Sequence, residues 1–306
     1  MMSQRIVSDG STGGRIAEIP HFRPVQASVF ADRAERLQHL ARTTGPWQPY
    51  LRFAAALTTA QQTALRVVPA LPQPSGEVLA HCFEHNMPPL SPEGHARSPL
   101  WRTILRDVLR AVDTAALPPA ATSSVEALLH AEDATLEAMA DAVLAGAFDQ
   151  TDPARAPFVA AALQVYWVKL ALQIGTAVGV PTATHLCPLC GSHPVASVVR
   201  IDGAAYGLRY LVCSLCATEW HMVRVKCSAC SSTKGISYLG IDGGGDAVKA
   251  ECCDQCRTYL KIFYLEKDTS VVPAADDLAT LALDMLVDQQ GYNRVGPNLL
   301  FVPGAA

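Results

Sequence analysis

The sequence predicts an all-α N-terminal domain followed by a β-rich, duplicated module with two tetracysteine metal sites and a C-terminal helix. Three observations lead to this fold class. Residues 20–180 are rich in Ala and Leu with helical periodicity, the composition then changes to Cys, Val and Tyr, and eight of the ten cysteines form four CxxC pairs. At 306 residues, half of them hydrophobic, the chain is long enough for two domains with buried cores.

These changes divide the chain into four expected parts. They are a flexible N-terminal tail at 1–20, a helical domain at 21–182, two tandem metal-binding units at 183–268, and a C-terminal helix and tail at 269–306. Proline-containing breaks separate six predicted helices in the helical domain, at 26–42, 50–68, 76–85, 100–113, 124–147 and 156–178. A last helix is predicted at 276–287.

The segment 156–180 is apolar enough to be compared with a membrane span. It contains Gln164, Lys169 and Gln173, and a lysine near the centre of a span is costly in lipid. We therefore predict a buried central helix of a soluble bundle, with no membrane insertion. Residues 1–14 lack the charged-then-apolar pattern of a signal peptide, so a cytoplasmic protein with reduced thiols is expected.

The cysteine pairs carry the chemistry of this chain, because they repeat. Each unit reads CxxC, 22 residues, CxxC, and a shift of 40 positions places every cysteine of the first unit on a cysteine of the second. Such units are typical of tetrathiolate metal sites. A cross-brace, in which the first and third pairs share a metal, is the competing arrangement. Sequential pairing predicts two sets of ligands, Cys187, Cys190, Cys213 and Cys216, and Cys227, Cys230, Cys253 and Cys256.

The residues between the pairs predict β-hairpins that bring each second pair back to the metal. Asp202-Gly203 and Asp242-Gly243 are turn signals at matching positions of the two units. Strands are predicted at 195–201, 208–212, 219–225, 236–241, 247–250 and 259–265. Ser192 and Thr218 recur as Ser232 and Thr258, so the repeat includes more than the ligands. Only the first pair is followed by a glycine, Gly191, which adopts positive φ without strain.

Other uses of CxxC pairs fit this chain less well. Structural disulfides need an oxidising compartment, and a thioredoxin-like redox motif would be a single pair in a βαβ setting. Metal binding is therefore favoured, and the identity of the metal is open between iron and zinc. A tetrahedral set of four sulfurs suits iron, as in rubredoxins, and zinc, as in zinc ribbons. The formal charge of −4 and the scattered Lys and Arg argue against nucleic acid as a partner.

Several other residues are candidates for function. His81, Glu84 and His85 match the bare HxxEH pattern of one metallopeptidase class, but Pro88-Pro89 follows and no further ligand is recognisable. Cys252 is a spare thiol beside Cys253 and a second-ranked ligand. The remaining candidates are Trp220, His221, Asp276 and Asp277. Strand packing is the ordinary role of the first two, and stabilisation of a helix N-terminus is that of the acidic pair. We also treat all four as candidate partner contacts.

Six further segments carry a recognisable pattern: Leu208 to Cys216, Thr218 to His221, Val223 to Cys227, Val248 to Glu251, Thr258 to Lys261 and Ala274 to Ala279. Through them the second half of the chain resembles the FdhE family, the formate dehydrogenase accessory proteins. The resemblance is dense over 185–290 and thin over the helical half, apart from Pro88-Pro89-Leu90. It includes all four CxxC pairs, whereas Cys252 and the HxxEH match lie outside the family pattern.

The resemblance implies a metal-binding, cytoplasmic accessory protein rather than an enzyme. Such proteins are similar to maturation chaperones that act on the catalytic molybdenum or tungsten subunit of respiratory formate dehydrogenases before its export. Their centres resemble rubredoxin, and iron is the metal associated with the family. The alternatives are a rubredoxin-like electron-transfer protein and a structural zinc-ribbon interaction protein.

Overall fold

The computed structural model describes residues 19–43, 45–175 and 185–301. The expected tail, except for its last two residues, and the expected boundary at 182 lie outside these ranges, as do the last five residues of the chain. The described part of the helical half contains seven α-helices, α1 Val29–Leu40, α2 Gln48–Val67, α3 Gly76–Glu84, α4 Leu100–Ala111, α5 Pro119–Leu129, α6 Asp133–Leu144 and α7 Ala156–Ile174.

The predicted helix at 124–147 is wrong as a single element, because the structure divides it into α5 and α6 around His130 to Glu132. The segment contains no proline or glycine before residue 146, so nothing local indicates a break. Ion pairs made across the bundle accompany the break. Asp133 lies 3.1 Å from both Arg102 and Arg106 of α4, at the first turn of α6. The division is thus accompanied by contacts between helices and not by a helix-breaking residue within the segment.

The prediction of a buried central helix is confirmed by α7. Most of its side chains are buried in a core shared with α2, α4 and α6. Its length and composition would also suit a membrane span, but 83% of its most apolar window is buried inside the protein. Its polar side chains have protein partners: Gln173 accepts the Leu71 N–H at 2.8 Å, and Gln164 bonds to Gln61 at 2.9 Å.

In the part of the chain that the structure describes, the C-terminal half is built on an eight-stranded sheet. Its strands are β1 Phe22–Arg23, β2 Pro194–Val199, β3 Arg209–Cys213, β4 Glu219–His221, β5 Ile236–Leu239, β6 Val248–Cys253, β7 Thr258–Tyr264 and β8 Asn293–Arg294. All six predicted strands are present with shifted ends. The order is β1-β4-β3-β2-β7-β6-β5, and β8 pairs with the start of β7. The short strands β1 and β8 were not predicted.

The two units of the repeat form one continuous sheet. Each unit is a three-stranded antiparallel meander, β2-β3-β4 and β5-β6-β7. The first strand of the first unit pairs in parallel with the last strand of the second, with Ser197 opposite Ile262. β1 closes the other edge, where Phe22 lies opposite Trp220. The units are therefore joined by backbone hydrogen bonds as well as by side chains.

The predicted last helix is also divided, into α8 Pro273–Ala279 and α9 Leu281–Gln289. The buried ammonium of Lys261 occupies the break between them. Its Nζ donates to the carbonyl of Asp277 at 2.8 Å and to the hydroxyl of Thr280 at 3.0 Å. A cation at a helix C-terminus satisfies carbonyls that have no helical partner. The break thus depends on a charge brought from β7.

Candidate metal centres

The structure brings the eight cysteines together in two groups of four, and each group belongs to one unit of the repeat. In the first site, the Sγ of Cys190 lies 3.4 Å from that of Cys213 and 3.6 Å from that of Cys216. In the second, Cys230 and Cys253 are separated by 3.7 Å between their sulfurs. A tetrahedron with metal–sulfur bonds of about 2.3 Å has edges of about 3.8 Å. This sulfur arrangement corresponds to sequential pairing and not to the cross-brace.

All four cysteine pairs adopt the same knuckle conformation, including those without glycine. The residue after each pair has positive φ: Gly191 at 72°, Ala217 at 57°, Ser231 at 63° and Arg257 at 53°. The left-handed conformation costs a non-glycine residue about 1–2 kcal/mol. Three knuckles therefore accept strain to direct the sulfurs inward. At Gly191 a Cβ would stand 3.2 Å from the ring of Pro88, so close packing also favours glycine there.

The residues that recur outside the ligands support the knuckles. The carbonyls of Ser192 and Ser232 accept the N–H groups of Cys187 and Cys227 at 2.9 and 2.8 Å. The hydroxyl of Thr218 lies 3.1 Å from the Cys216 sulfur and 3.3 Å from that of Cys187. Thr258 lies 3.0 Å from the Cys256 sulfur. Groups that orient the ligands are part of a metal site, and here the repeat in sequence indicated them.

The donor sets fit a soft or borderline divalent cation. Burial, together with the hydrogen-bonded contacts with Cys187 and Cys190, raises the pKa of Cys213 and of Cys216 well above 9.0. Burial raises the pKa of Cys227 to about 12. Four neighbouring thiolates are therefore unfavourable without a compensating positive charge. A bound cation supplies that charge and so favours deprotonation of the thiols. The two sites could hold metal ions; the sulfur geometry suits both iron and zinc.

The candidate contact residues Trp220 and His221 lie on β4. Trp220 is 1% exposed and packs in the core shared with the helices, so the expectation of a partner contact there is corrected. Packing of its side chain against the helical core causes this burial, since Glu219 and His221 on the same strand are only partly buried. His221 is half-buried, and its ring packs edge-on against His21 and Tyr210. Burial lowers the pKa of His221.

The acidic pair of α8 is buried as well. Asp277 has no exposed side-chain surface and pairs with Lys261 at 2.9 Å and Arg294 at 2.6 Å. Asp276 pairs with Arg36 of α1 at 2.6 Å. The expectation of partner contacts at these carboxylates is therefore corrected, because cations from other elements satisfy both of them. They connect α8 to the sheet and to the helical half.

The remaining candidates lie apart from the two sites. Cys252 is buried on β6 within a small apolar cluster that includes Tyr259 and Leu283. Its sulfur lies 3.7 Å from the carbonyl of Ala250. The side chains of His81, Glu84 and His85 are exposed together at the end of α3, and the two imidazole rings are 4.4 Å apart.

Two polar residues near the sites were not recognised from the sequence as site residues. Gln164 of α7 donates to the carbonyl of Ser214, inside the second knuckle, at 2.7 Å. His185 contacts the third knuckle, with Nδ1 3.2 Å from the carbonyl of Ser228 and Nε2 3.2 Å from the hydroxyl of Ser231. Gln164 could have been found as an isolated amide in an apolar helix. No sequence signal pointed to His185.

Sequence models of one family cover nearly all of the chain. The model described as FdhE, N-terminal matches residues 19–183, the central domain matches 186–224 and the C-terminal domain matches 225–301. The chain belongs to the FdhE family. The border between the last two matches falls between the two tetracysteine sites, so each site of this FdhE-family chain lies in a different family domain.

Individual relatives agree with the family models. A Protein FdhE homolog from Pseudomonas aeruginosa is 42% identical over 99% of both chains. Protein FdhE from Salmonella enteritidis is 40% identical over 99% of both chains. The crystal structure of the FdhE protein from Pseudomonas aeruginosa covers 94% of this chain and 100% of its own, with a TM-score of 0.84 and 42% identity. The fold described above is thus the fold of an FdhE protein.

Proposed function

We propose that this FdhE-family protein binds the catalytic subunit of a respiratory formate dehydrogenase in the cytoplasm and assists its maturation before export. The observation that carries the proposal is the pair of tetracysteine sites in an FdhE fold. In this role the chain recognises a protein client and has no catalytic residues of its own. It neither enters the membrane nor binds nucleic acid.

Two metal ions, with iron as the physiological metal, are part of the proposal. Cys187, Cys190, Cys213 and Cys216 would hold one ion, and Cys227, Cys230, Cys253 and Cys256 the other. Iron is favoured by the FdhE family resemblance, and the four-sulfur geometry admits it. Metal analysis of protein purified without oxygen tests this part, with two ions per chain as the expected content. Visible absorption after oxidation distinguishes ferric thiolate sites from colourless zinc sites.

The proposed client contact lies on the exposed part of the second metal unit. Trp220, Asp276 and Asp277 are buried, whereas Cys230 in the third knuckle is exposed. A knuckle fixed by a metal presents a rigid surface, and rigid surfaces lose little entropy on binding. We therefore propose that the contact lies around residues 229–231.

The test is capture of the catalytic subunit by tagged protein, combined with formate oxidation in a strain that lacks the chain. Cys230→Ser should weaken both, because the third knuckle loses its metal and its shape. Ser123→Ala, which changes an exposed serine on α5, is the control. Full capture and full formate oxidation with folded Cys230→Ser would contradict a client contact at this knuckle.

A further inference from the structure

The two metal sites share a ligand pattern and differ in their surroundings. All four sulfur ligands of the first site are buried, with residue exposures from 0 to 2%. In the second site Cys227 and Cys253 are buried, Cys256 is partly exposed and Cys230 is exposed. The difference does not come from the repeat, because Cys190 and Cys230 occupy the same position in their units. It comes from what packs on each knuckle.

The first site is enclosed by the helical half of the chain. The amide of Gln164 bonds to the second knuckle, and the N–H of Leu90 donates to the carbonyl of Leu189 in the first knuckle at 2.9 Å. The indole N–H of Trp167 then fixes the carbonyl of Leu90 at 2.8 Å. Leu189 and Leu215, between the cysteines of these two knuckles, are buried in the same core as α7. The cysteines of both knuckles are therefore covered by protein.

Other parts of the protein cover the second site on one side only. Its fourth knuckle is held by Tyr292, whose hydroxyl donates to Asp254 at 2.5 Å. The third knuckle bonds to His185, yet its second cysteine, Cys230, remains an exposed residue. This knuckle precedes β5, which is an edge strand of the sheet in the described part of the chain. An edge position leaves this side of the site open to solvent.

We infer that the second site is an exchangeable metal site and that the first holds its metal permanently. The inference rests on the proposed metal binding. Access of solvent to a metal site is controlled by the shell around its ligands. The thiolate of Cys230 is the ligand that a donor from solution can replace. One donor–metal bond forms, one sulfur–metal bond breaks, and the freed thiolate takes a proton from water. Partners suited to such exchange are nitrogen or sulfur donors that bind borderline metals.

The test uses the full chain loaded with two zinc ions and challenged with the chelator 4-(2-pyridylazo)resorcinol. We expect one ion to be released at least about tenfold faster than the other, in line with the effect of an altered shell on metal affinity. N-ethylmaleimide added during the challenge, with mass spectrometry of the peptides, locates the freed thiols. Label should appear at Cys230 and Cys256 before any cysteine of the first site.

Two matched variants complete the test. Cys230→Ser should keep only the slow phase of release, and Cys190→Ser only the fast phase. If Cys190→Ser does not fold, the order of labelling in the natural chain still decides. Release of both ions at one rate would overturn the inference, and so would labelling of the first-site cysteines before Cys230 and Cys256. The proposed metal binding would stand in either case. A chain that binds no zinc or iron overturns both.

Discussion

Arg209 on β3 and Glu251 on β6 form a buried ion pair of 2.8 Å that joins the two metal units. Their side chains are 0% and 3% exposed. Arg209 also donates to the carbonyl of Lys226 at 3.0 Å, in the segment between the units, and Tyr238 donates to Glu251 at 3.0 Å. Burial raises the pKa of Glu251, so this carboxylate depends on its partners to remain charged.

Removal of one member of this pair should destabilise the sheet strongly. Arg209→Met leaves Glu251 buried without its cation, and we expect a loss of about 3–5 kcal/mol in the free energy of unfolding. Arg209→Met with Glu251→Leu should lose less than the sum of the two single changes. Urea unfolding of the three variants measures the coupling. Additive losses would show that the pair does not connect the units.

The two metal sites should differ in their effect on the helical half. Cys190→Ser opens a site whose knuckles pack in the helical core, so we expect it to lower the free energy of unfolding by about 3 kcal/mol. A loss of this size should lower Tm by roughly 6–12 °C. Cys230→Ser should disturb the second unit and leave the helical signal in circular dichroism unchanged. Thermal melts of both variants in the same buffer make the comparison. Equal loss of the helical signal in both would mean that the sites are energetically equivalent.

The amide of Gln164 should stabilise the contact between α7 and the first site. Gln164→Leu keeps the size of the side chain but leaves the Ser214 carbonyl and the Gln61 amide without this partner. We expect a loss of about 1–3 kcal/mol for each buried group left unsatisfied. Gln38→Leu, at an exposed position of α1, is the matched control and should change stability by less than about 0.5 kcal/mol. Similar stabilities of the two variants in urea would contradict this role.

The carboxylate of Asp277 should make the free energy of unfolding depend on pH, at pH values below the usual titration range of an aspartate. Burial alone would raise the pKa of Asp277, but the charges of Arg294 and Lys261 outweigh burial and hold it below 3.8. A lowered folded pKa means that the stabilisation is present above the unfolded value and is lost as pH falls through the folded one. The stability difference between the natural chain and Asp277→Asn should therefore be constant from pH 7 to 5 and decrease below about pH 3.8.

Urea unfolding at each pH, on proteins with the same metal content, measures that difference. Asp246→Asn, where the side chain is 75% exposed, is the control for a carboxylate outside the network. A difference that grows in acid would mean that Asp277 is protonated in the folded protein at neutral pH.

The pattern of cysteines shows how much of the site could be predicted from local sequence. Spacing alone indicated the two groups of four sulfurs, because a CxxC turn and a hairpin of 22 residues are short-range structures. The recurrence of Thr218 as Thr258 indicated residues beside the sulfurs for the same reason. The positive φ of Ala217, Ser231 and Arg257 could not be predicted from residue type, because the geometry of four convergent sulfurs imposes it against local preference.

The sequence by itself determined the repeat, the four CxxC pairs, the six strands and the apolar helix α7, since each depends on neighbours within about one hairpin or a few helical turns. The tertiary structure alone decided the burial of Trp220 and Asp277, the breaks beside Asp133 and Lys261, and the enclosure of one metal site but not the other. These features depend on contacts between residues far apart in the chain, such as Gln164 with Ser214. Contacts of that kind are set by packing across the whole fold, and no local pattern encodes them.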